Sequence, residues 1–359
     1  MSRIPQAEHR DRLARCVEAM RAQGMDALVL MPGTNFAYLT GRRFARERHR
    51  LLAAVITSGG DLALMGPSFE ERAMGSGPVP AAIHTWTDEE DQYRRLAALV
   101  TASCGARPCV GLEPTTNHYH ALALREALPE ASLVDATKST DGLRAIKSEA
   151  EIACLREAAG RTRARMLKVP SQLVAGMSMQ DLGRLYGPSA MIQIGLTTSL
   201  PNETSGSNRL SPGDAVVIDA GDRIEGYRSD LTRTFFFGEP SPRMREVYGI
   251  VREAEAAAIE AVRPGAPAED VDLAARRVIE RAGYGAFFTH RGGHGIGLDF
   301  HEAPICVRGN KEPLVPGMVL TAEPGIYLPG EFGVRLEDDI LVTESGHAML
   351  SEPGPFEID

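Results

Sequence analysis

With 359 residues, 43% hydrophobic content and a formal charge of −9, the chain is long enough for two cores of ordinary size and lacks the basic balance that nucleic acid requires. No run approaches the ~18 uninterrupted apolar residues of a membrane span, and the start MSRIPQAEHRDRL lacks the apolar centre of a signal peptide. The expectation is a cytoplasmic protein with no nucleic-acid or membrane partner; its five cysteines, at 16, 104, 109, 154 and 306, form no CxxC pair and suit reduced structural thiols.

Residues 8–23 carry Leu13, Cys16, Val17 and Met20 at helical spacing, and DALVLM (26–31) predicts a buried strand. LLAAVIT (51–57) and LALM (62–65) predict a hairpin around Gly59-Gly60. An amphipathic segment at 90–103, a strand at 108–112, a helix near 117–127 and a short strand at 132–135 complete a mixed α/β domain over residues 1–137. His118 and His120, on either side of Tyr119 at a helix start, are expected at the surface.

KSTDGLRAIK (138–147) forms a polar joint into a second domain, 138–359, which opens with the charged helix SEAEIACLREAAGRTRARML. Ser241 supplies an N-cap and Pro242 the first helical position of a helix to about 262, and a further helix near 268–282 ends at Gly283. Strands around and between these helices carry the acidic residues of interest.

VVID and SDLTRTF are strand-like, and AGDRIEGYR between them is rich in turn formers. A hairpin that opposes Asp219 to Asp230 centres its turn between Ile224 and Glu225. A second hairpin, opposing Glu323 to Glu337, centres on Gly330 beside Pro329, and places Arg335, Glu337 and Asp339 on one strand face. Two like charges face to face destabilise a ladder unless a cation lies between them, so both hairpins call for metal.

His294 lies within GGHGIG, where glycines allow close backbone approach and discourage a helix, so His290 and His294 are not a helical pair. His294 is assigned as the fifth ligand, His290 as a proton carrier or ring-packing residue, and His301, ahead of Glu302-Ala303-Pro304, as a substrate contact. Four carboxylates and one imidazole suit two divalent cations, Mn first and Co or Zn as alternatives. Two such ions would bring the net charge to about −5.

VVIDAG, RSDLTRTF, HRGGHGIGLDFHEAP, TAEPGIY and RLEDD together resemble the creatinase, prolidase and methionine aminopeptidase superfamily, M24. LRAIKSEAEIACLREAA (143–159) resembles its lead-in to the catalytic domain, and EPGIY with HEAP looks like the Xaa-Pro aminopeptidase and prolidase branch. The resemblance implies a creatinase-like α/β N-terminal domain followed by an α+β pita-bread catalytic domain. It further implies that Asp219 and Asp230 bind one metal, that Asp230, His294, Glu323 and Glu337 bind the other, and that Asp230 and Glu337 bridge them. Glu323 then accepts the proton of the attacking water, His301 contacts a small peptide substrate, and the enzyme is a homodimer. Arg335 either orients Glu337, carries charge between site and solvent, or balances the neighbouring carboxylates.

The chain departs from the family pattern twice. Where the family carries a Pro-His pair whose histidine contacts the substrate carbonyl, this chain has Pro201-Asn202; asparagine still donates a hydrogen bond but does not titrate and reaches less far. Between MSMQDLGRL and MIQIGL the chain is also short, which implies a trimmed helix at the pocket rim. The leading expectation is therefore a dinuclear Xaa-Pro aminopeptidase or dipeptidase. A same-fold hydrolase of another small amide or modified amino acid is the alternative, and a non-catalytic binding module ranks third.

Overall fold

In the computed structural model, which describes residues 3–47, 49–186, 190–203 and 206–351, the chain separates into two compact units, one up to Arg144 and one from Ala145 onward. The first unit is organised on a six-stranded sheet made of β1 (Ala27–Leu30), β2 (Ala53–Thr57), β3 (Leu62–Pro67), β4 (Ala82–Trp86), β5 (Cys109–Leu112) and β6 (Ser132–Asp135). Its spatial order is β4-β3-β2-β1-β5-β6, with β1, β2 and β3 antiparallel and the other pairs parallel. Every residue of the central β1 and β2 is buried, which is why both read as continuous apolar runs.

Helices Gln92–Cys104 and His118–Ala127 add Leu96, Val100 and Leu124 to the core of this sheet. Asp91 and Asn117 cap them by accepting backbone N–H bonds. His120 departs from the surface position expected of it: it is buried, with Nδ1 2.7 Å from the Tyr93 hydroxyl of the neighbouring helix. Helix Thr34–Thr40 and edge strand β4 were not legible, the former for its shortness and the latter because only Trp86 of it is buried.

The second unit opens with helix Glu149–Met166, whose start is a reciprocal capping box between Ser148 and Glu151. Its strands are β7 (Met191–Ile194), β8 (Ala215–Ala220), β9 (Arg223–Ile224), β10 (Tyr227–Arg228), β11 (Leu231–Phe236), β12 (Gly293–Gly295), β13 (Glu302–Cys306), β14 (Val319–Ala322), β15 (Gly325–Tyr327), β16 (Gly333–Arg335), β17 (Asp338–Val342) and β18 (His347–Met349). They form antiparallel sheets β11-β8-β7 and β13-β12-β14-β17-β18 and the small ribbons β9-β10 and β15-β16. Helix Pro242–Ala261, capped by the Ser241 hydroxyl on the Met244 N–H, runs beside helix Glu269–Arg281. Val251, Ala258, Val271 and Val278 from these helices share a core with Leu320, Ile326 and Ile340 from the strands. The trimmed rim expected before Met191 falls on residues 187–189, outside the described residues. No helix among the described residues is long and apolar enough to cross a membrane.

The first acidic hairpin differs from its expected register. Ile224 pairs with Tyr227 around a two-residue turn, Glu225-Gly226, and the ladder continues to Asp219 opposite Thr232. Both turn residues have positive φ, 51° and 95°, as a type I′ turn requires, and its twist sets the register. Asp230 consequently lies diagonal to Asp219 rather than opposite it. The second hairpin keeps the expected register: Ala322 pairs with Asp338 and Gly325 with Arg335, on either side of Glu323 and Glu337.

Candidate active site

Asp230 stands just before β11, and its backbone N–H donates to the Asp339 carboxylate at 3.1 Å. Glu337 sits in the break between β16 and β17, where its main chain bridges to Thr232. A residue at that break belongs to both strand systems, which is how an acid from the C-terminal hairpin reaches an acid from β8-β11. One ligand atom from each of Asp230, His294 and Glu337 lies within 4.8 Å of the others.

His294 is placed by glycines that have no room for a side chain. A Cβ on Gly293 would lie 2.0 Å from the Thr321 carbonyl oxygen, and one on Gly295 2.1 Å from that of Ala303. Nδ1 of His294 lies 3.1 Å from the Gly295 carbonyl, an acceptor only, so Nδ1 carries the proton and Nε2 presents its lone pair. Nε2 is 3.6 Å from Glu323 Oε1. Burial pushes this imidazole down to about 3, so it is neutral at ordinary pH and able to serve as a ligand.

The carboxylates show the opposite electrostatics. Burial, and then repulsion from Glu337, Asp219 and Asp339, raises Asp230 well above the usual carboxylate range. Glu337 is raised by burial and then by Glu323 and Asp219, and burial lifts Glu323 to about 7. Arg335 offsets only part of the charge of these crowded acids, and bound divalent cations would supply the rest. The donor set of Asp219, Asp230, His294, Glu323 and Glu337 thus fits such ions.

All five line one cavity of about 690 Å³, together with His290, His301, Arg335 and Asn202. Arg335 reaches Glu337 through Thr232, whose hydroxyl accepts from Arg335 Nε at 3.3 Å and donates to Glu337. Its guanidinium reaches Asp219 Oδ2 at 2.8 Å, the Tyr327 hydroxyl at 3.0 Å and the Pro201 carbonyl at 3.2 Å. His290 has both ring nitrogens engaged, Nδ1 with the Arg291 carbonyl and Nε2 with the Tyr327 hydroxyl, each at 2.8 Å. Burial lowers it to about 4, and its ring packs edge-on against Phe288. His301 is exposed, with its ring centroid 4.3 Å from that of His294.

Sequence reasoning missed Thr232, whose hydroxyl donates to Glu337 Oε2 at 2.7 Å, and Tyr327, which joins Arg335 to His290. Thr232 stands two positions after Asp230 on the same strand face, and Tyr327 closes the EPGIY phrase, so each carried a weak signal. Arg291 and Phe300, which also line the cavity, carried none.

The profile described as "Metallopeptidase family M24" matches residues 148–344, and "Creatinase/Prolidase N-terminal domain" matches residues 12–146. The chain is 36% identical over 356 residues to a probable dipeptidase PepE of Mycobacterium tuberculosis, covering 95% of this chain and 93% of that protein. It is 33% identical to an uncharacterized peptidase of Staphylococcus aureus, covering 95% and 98% of the two.

Among solved structures, dipeptidase PepE from Mycobacterium ulcerans superposes with a TM-score of 0.90 at 34% identity over 97% of each chain. Recombinant prolidase from Thermococcus sibiricus gives 0.90 at 31% identity over 96% of each. The chain therefore belongs to metallopeptidase family M24: it is a metal-dependent peptidase, with a creatinase-type N-terminal domain, a pita-bread catalytic domain and divalent metal cofactors.

Proposed function

We propose that the chain is a dinuclear peptidase that cleaves the X-Pro amide bond of dipeptides or of peptide N-termini. The observation that carries this reading is the convergence of Asp230, His294 and Glu337 donor atoms within 4.8 Å in a cavity that Asp219 and Glu323 also line. Asp219 and Asp230 would hold one ion, and Asp230, His294, Glu323 and Glu337 the other, with Asp230 and Glu337 shared. The oxygen-rich set favours Mn over Co or Zn. When bound, the ions supply a nucleophilic water at neutral pH and polarise the scissile carbonyl.

Glu323, which lines the cavity with one oxygen 3.6 Å from His294 Nε2, takes a proton from the nucleophile on its carboxylate and returns it to the amine leaving group. Arg335 keeps Asp219 in place, and His301 meets the substrate from the cavity wall. The similarity to solved structures of a prolidase from Thermococcus sibiricus and an Xaa-Pro dipeptidase from Bacillus anthracis supports the X-Pro preference. A homodimer in the cytoplasm belongs to the same reading, and light scattering tests the assembly.

Asn202 favours a second reading, a hydrolase of another small amide with weak X-Pro activity. Reconstituting chelator-treated protein with Mn, Co or Zn and assaying X-Pro dipeptides beside X-Ala controls separates the two. Two ions per chain with selective X-Pro turnover supports the first; binding without X-Pro turnover at any concentration overturns it.

A further inference from the structure

The segment 297–301, which ends in His301, has no regular secondary structure, yet it carries Phe300 and His301 into the cavity wall. Something outside the segment must fix it. From one side, Arg228 donates its backbone N–H to the Gly297 carbonyl at 2.8 Å and places its guanidinium 4.2 Å from the Phe300 ring centroid. From below, Glu302 turns its carboxylate back under the segment, accepting the Asp299 N–H on Oε1 at 2.9 Å. The fit is tight enough that a Cβ on Gly297 would lie 2.6 Å from Glu302 Oε2.

That carboxylate is paired with Lys147, whose Nζ lies 3.2 Å from Glu302 Oε2; each side chain is only 1% exposed. Lys147 is itself fixed by its backbone N–H on the Gly317 carbonyl and its Nζ on the Ala145 carbonyl. A fully buried ion pair is weak evidence for stability, because well-packed apolar residues of similar volume often do as well or better; its best-attested use is to set register. Here the register it sets is that of the residue immediately before Glu302.

We infer that the buried Lys147–Glu302 pair is a positioning device for His301, holding segment 297–301 at the height from which the imidazole meets the substrate. Lys147 and Glu302 are not among the residues that line the cavity, and they act through His301. The inference rests on the reading of His301 as a substrate contact.

The test is a mutant cycle in the metal-loaded full chain. Glu302→Gln and Lys147→Met are each made in the natural chain and in His301→Ala, and kcat and KM are measured on a dipeptide that the enzyme turns over, with ion affinity measured by titration calorimetry. Each substitution is expected to lower kcat/KM tenfold or more in the natural chain, to cost less than twofold when His301 is already alanine, and to leave ion affinity within twofold. Equal losses in both backgrounds, or a parallel loss of ion affinity, would overturn the positioning role. Wild-type turnover by His301→Ala alone would instead overturn the reading of His301, and the inference with it. Glu302→Gln keeps side-chain volume and the acceptor for Asp299, so it decides the question even where Lys147→Met does not fold.

Discussion

Thr232 and Glu337 exchange both main-chain hydrogen bonds, at 3.3 and 3.1 Å, and the Thr232 hydroxyl donates to Glu337 Oε2 at 2.7 Å. Across its other edge Thr232 pairs with Asp219, so one threonine ties together two acids that arrive from different hairpins. Its hydroxyl also restricts which oxygen of Glu337 turns toward an ion. Replacing it with valine keeps the shape and removes that donor. Thr232→Val is expected to weaken divalent-ion affinity by ~10–100-fold, the usual cost of removing a group that orients a metal ligand. Calorimetric titration checks this, and an unchanged affinity would show that the main chain alone orients Glu337.

Removing the ions should make stability depend on pH in a definite direction. Without them, Asp230 and Glu337 are raised well above the carboxylate range and Glu323 to about 7, so these acids bind protons more tightly folded than unfolded. That contribution is fully present below the unfolded pKa of ~4 and is lost as pH rises through the folded values. Below about pH 6.5 the depressed His290 and His294 act in the opposite sense, so chelator-treated protein should lose thermal stability between about pH 6.5 and pH 8, while ion-saturated protein, whose ligands must be deprotonated, should not. Melting curves across that range, with and without ions, test it; a chelated protein that grows more stable toward pH 8 would contradict the crowded-acid account.

The features that positioned the site were unevenly legible in the sequence. Glu323 and Glu337 could be paired because Pro329-Gly330 marks the turn and the count runs undisturbed from Gly325–Arg335 to Ala322–Asp338. The expected pairing of Asp219 with Asp230 differs from the observed one by two residues because the turn lies at Glu225-Gly226, where a non-glycine residue adopts positive φ without a strong compositional sign. Both acids still share a face, since a two-residue shift preserves strand parity. Contacts between distant segments, such as Arg335 with Asp219 or Thr232 with Glu337, leave no period in the chain and emerge only from tertiary packing.

Arg335 links Asp219 to Tyr327 by two separate N–H groups and reaches Thr232 Oγ1 with Nε at 3.3 Å. A lysine offers one point charge on a flexible stem and cannot satisfy these partners in the same plane. Arg335→Lys is accordingly expected to preserve net charge yet lower kcat/KM by about 10²-fold, the cost of a small displacement at a reacting centre. Steady-state kinetics beside ion content decides the point. Full activity in the lysine variant would mean that Arg335 serves only as a counter-charge.

Asn202 is exposed at the cavity, and the carbonyl of the preceding Pro201 accepts a bond from Arg335. The main chain here is therefore tied to the site, and the side chain is free to differ. Histidine at this position would add reach and a donor aimed at the developing charge on a substrate carbonyl, a contact worth up to ~10²–10³ in rate where it is well placed. An exposed substitution of this kind typically alters stability by no more than about 0.5 kcal/mol, so an activity change is readable without a folding correction. Asn202→His is expected to raise kcat on X-Pro dipeptides by roughly tenfold, a part of that range, with ion content and melting temperature unchanged. Turnover of X-Pro and X-Ala dipeptides by both forms supplies the comparison. A gain confined to X-Pro would identify Asn202 as the residue limiting an ordinary prolidase-type reaction, whereas no gain would direct the search to amides that an asparagine recognises better than a histidine does.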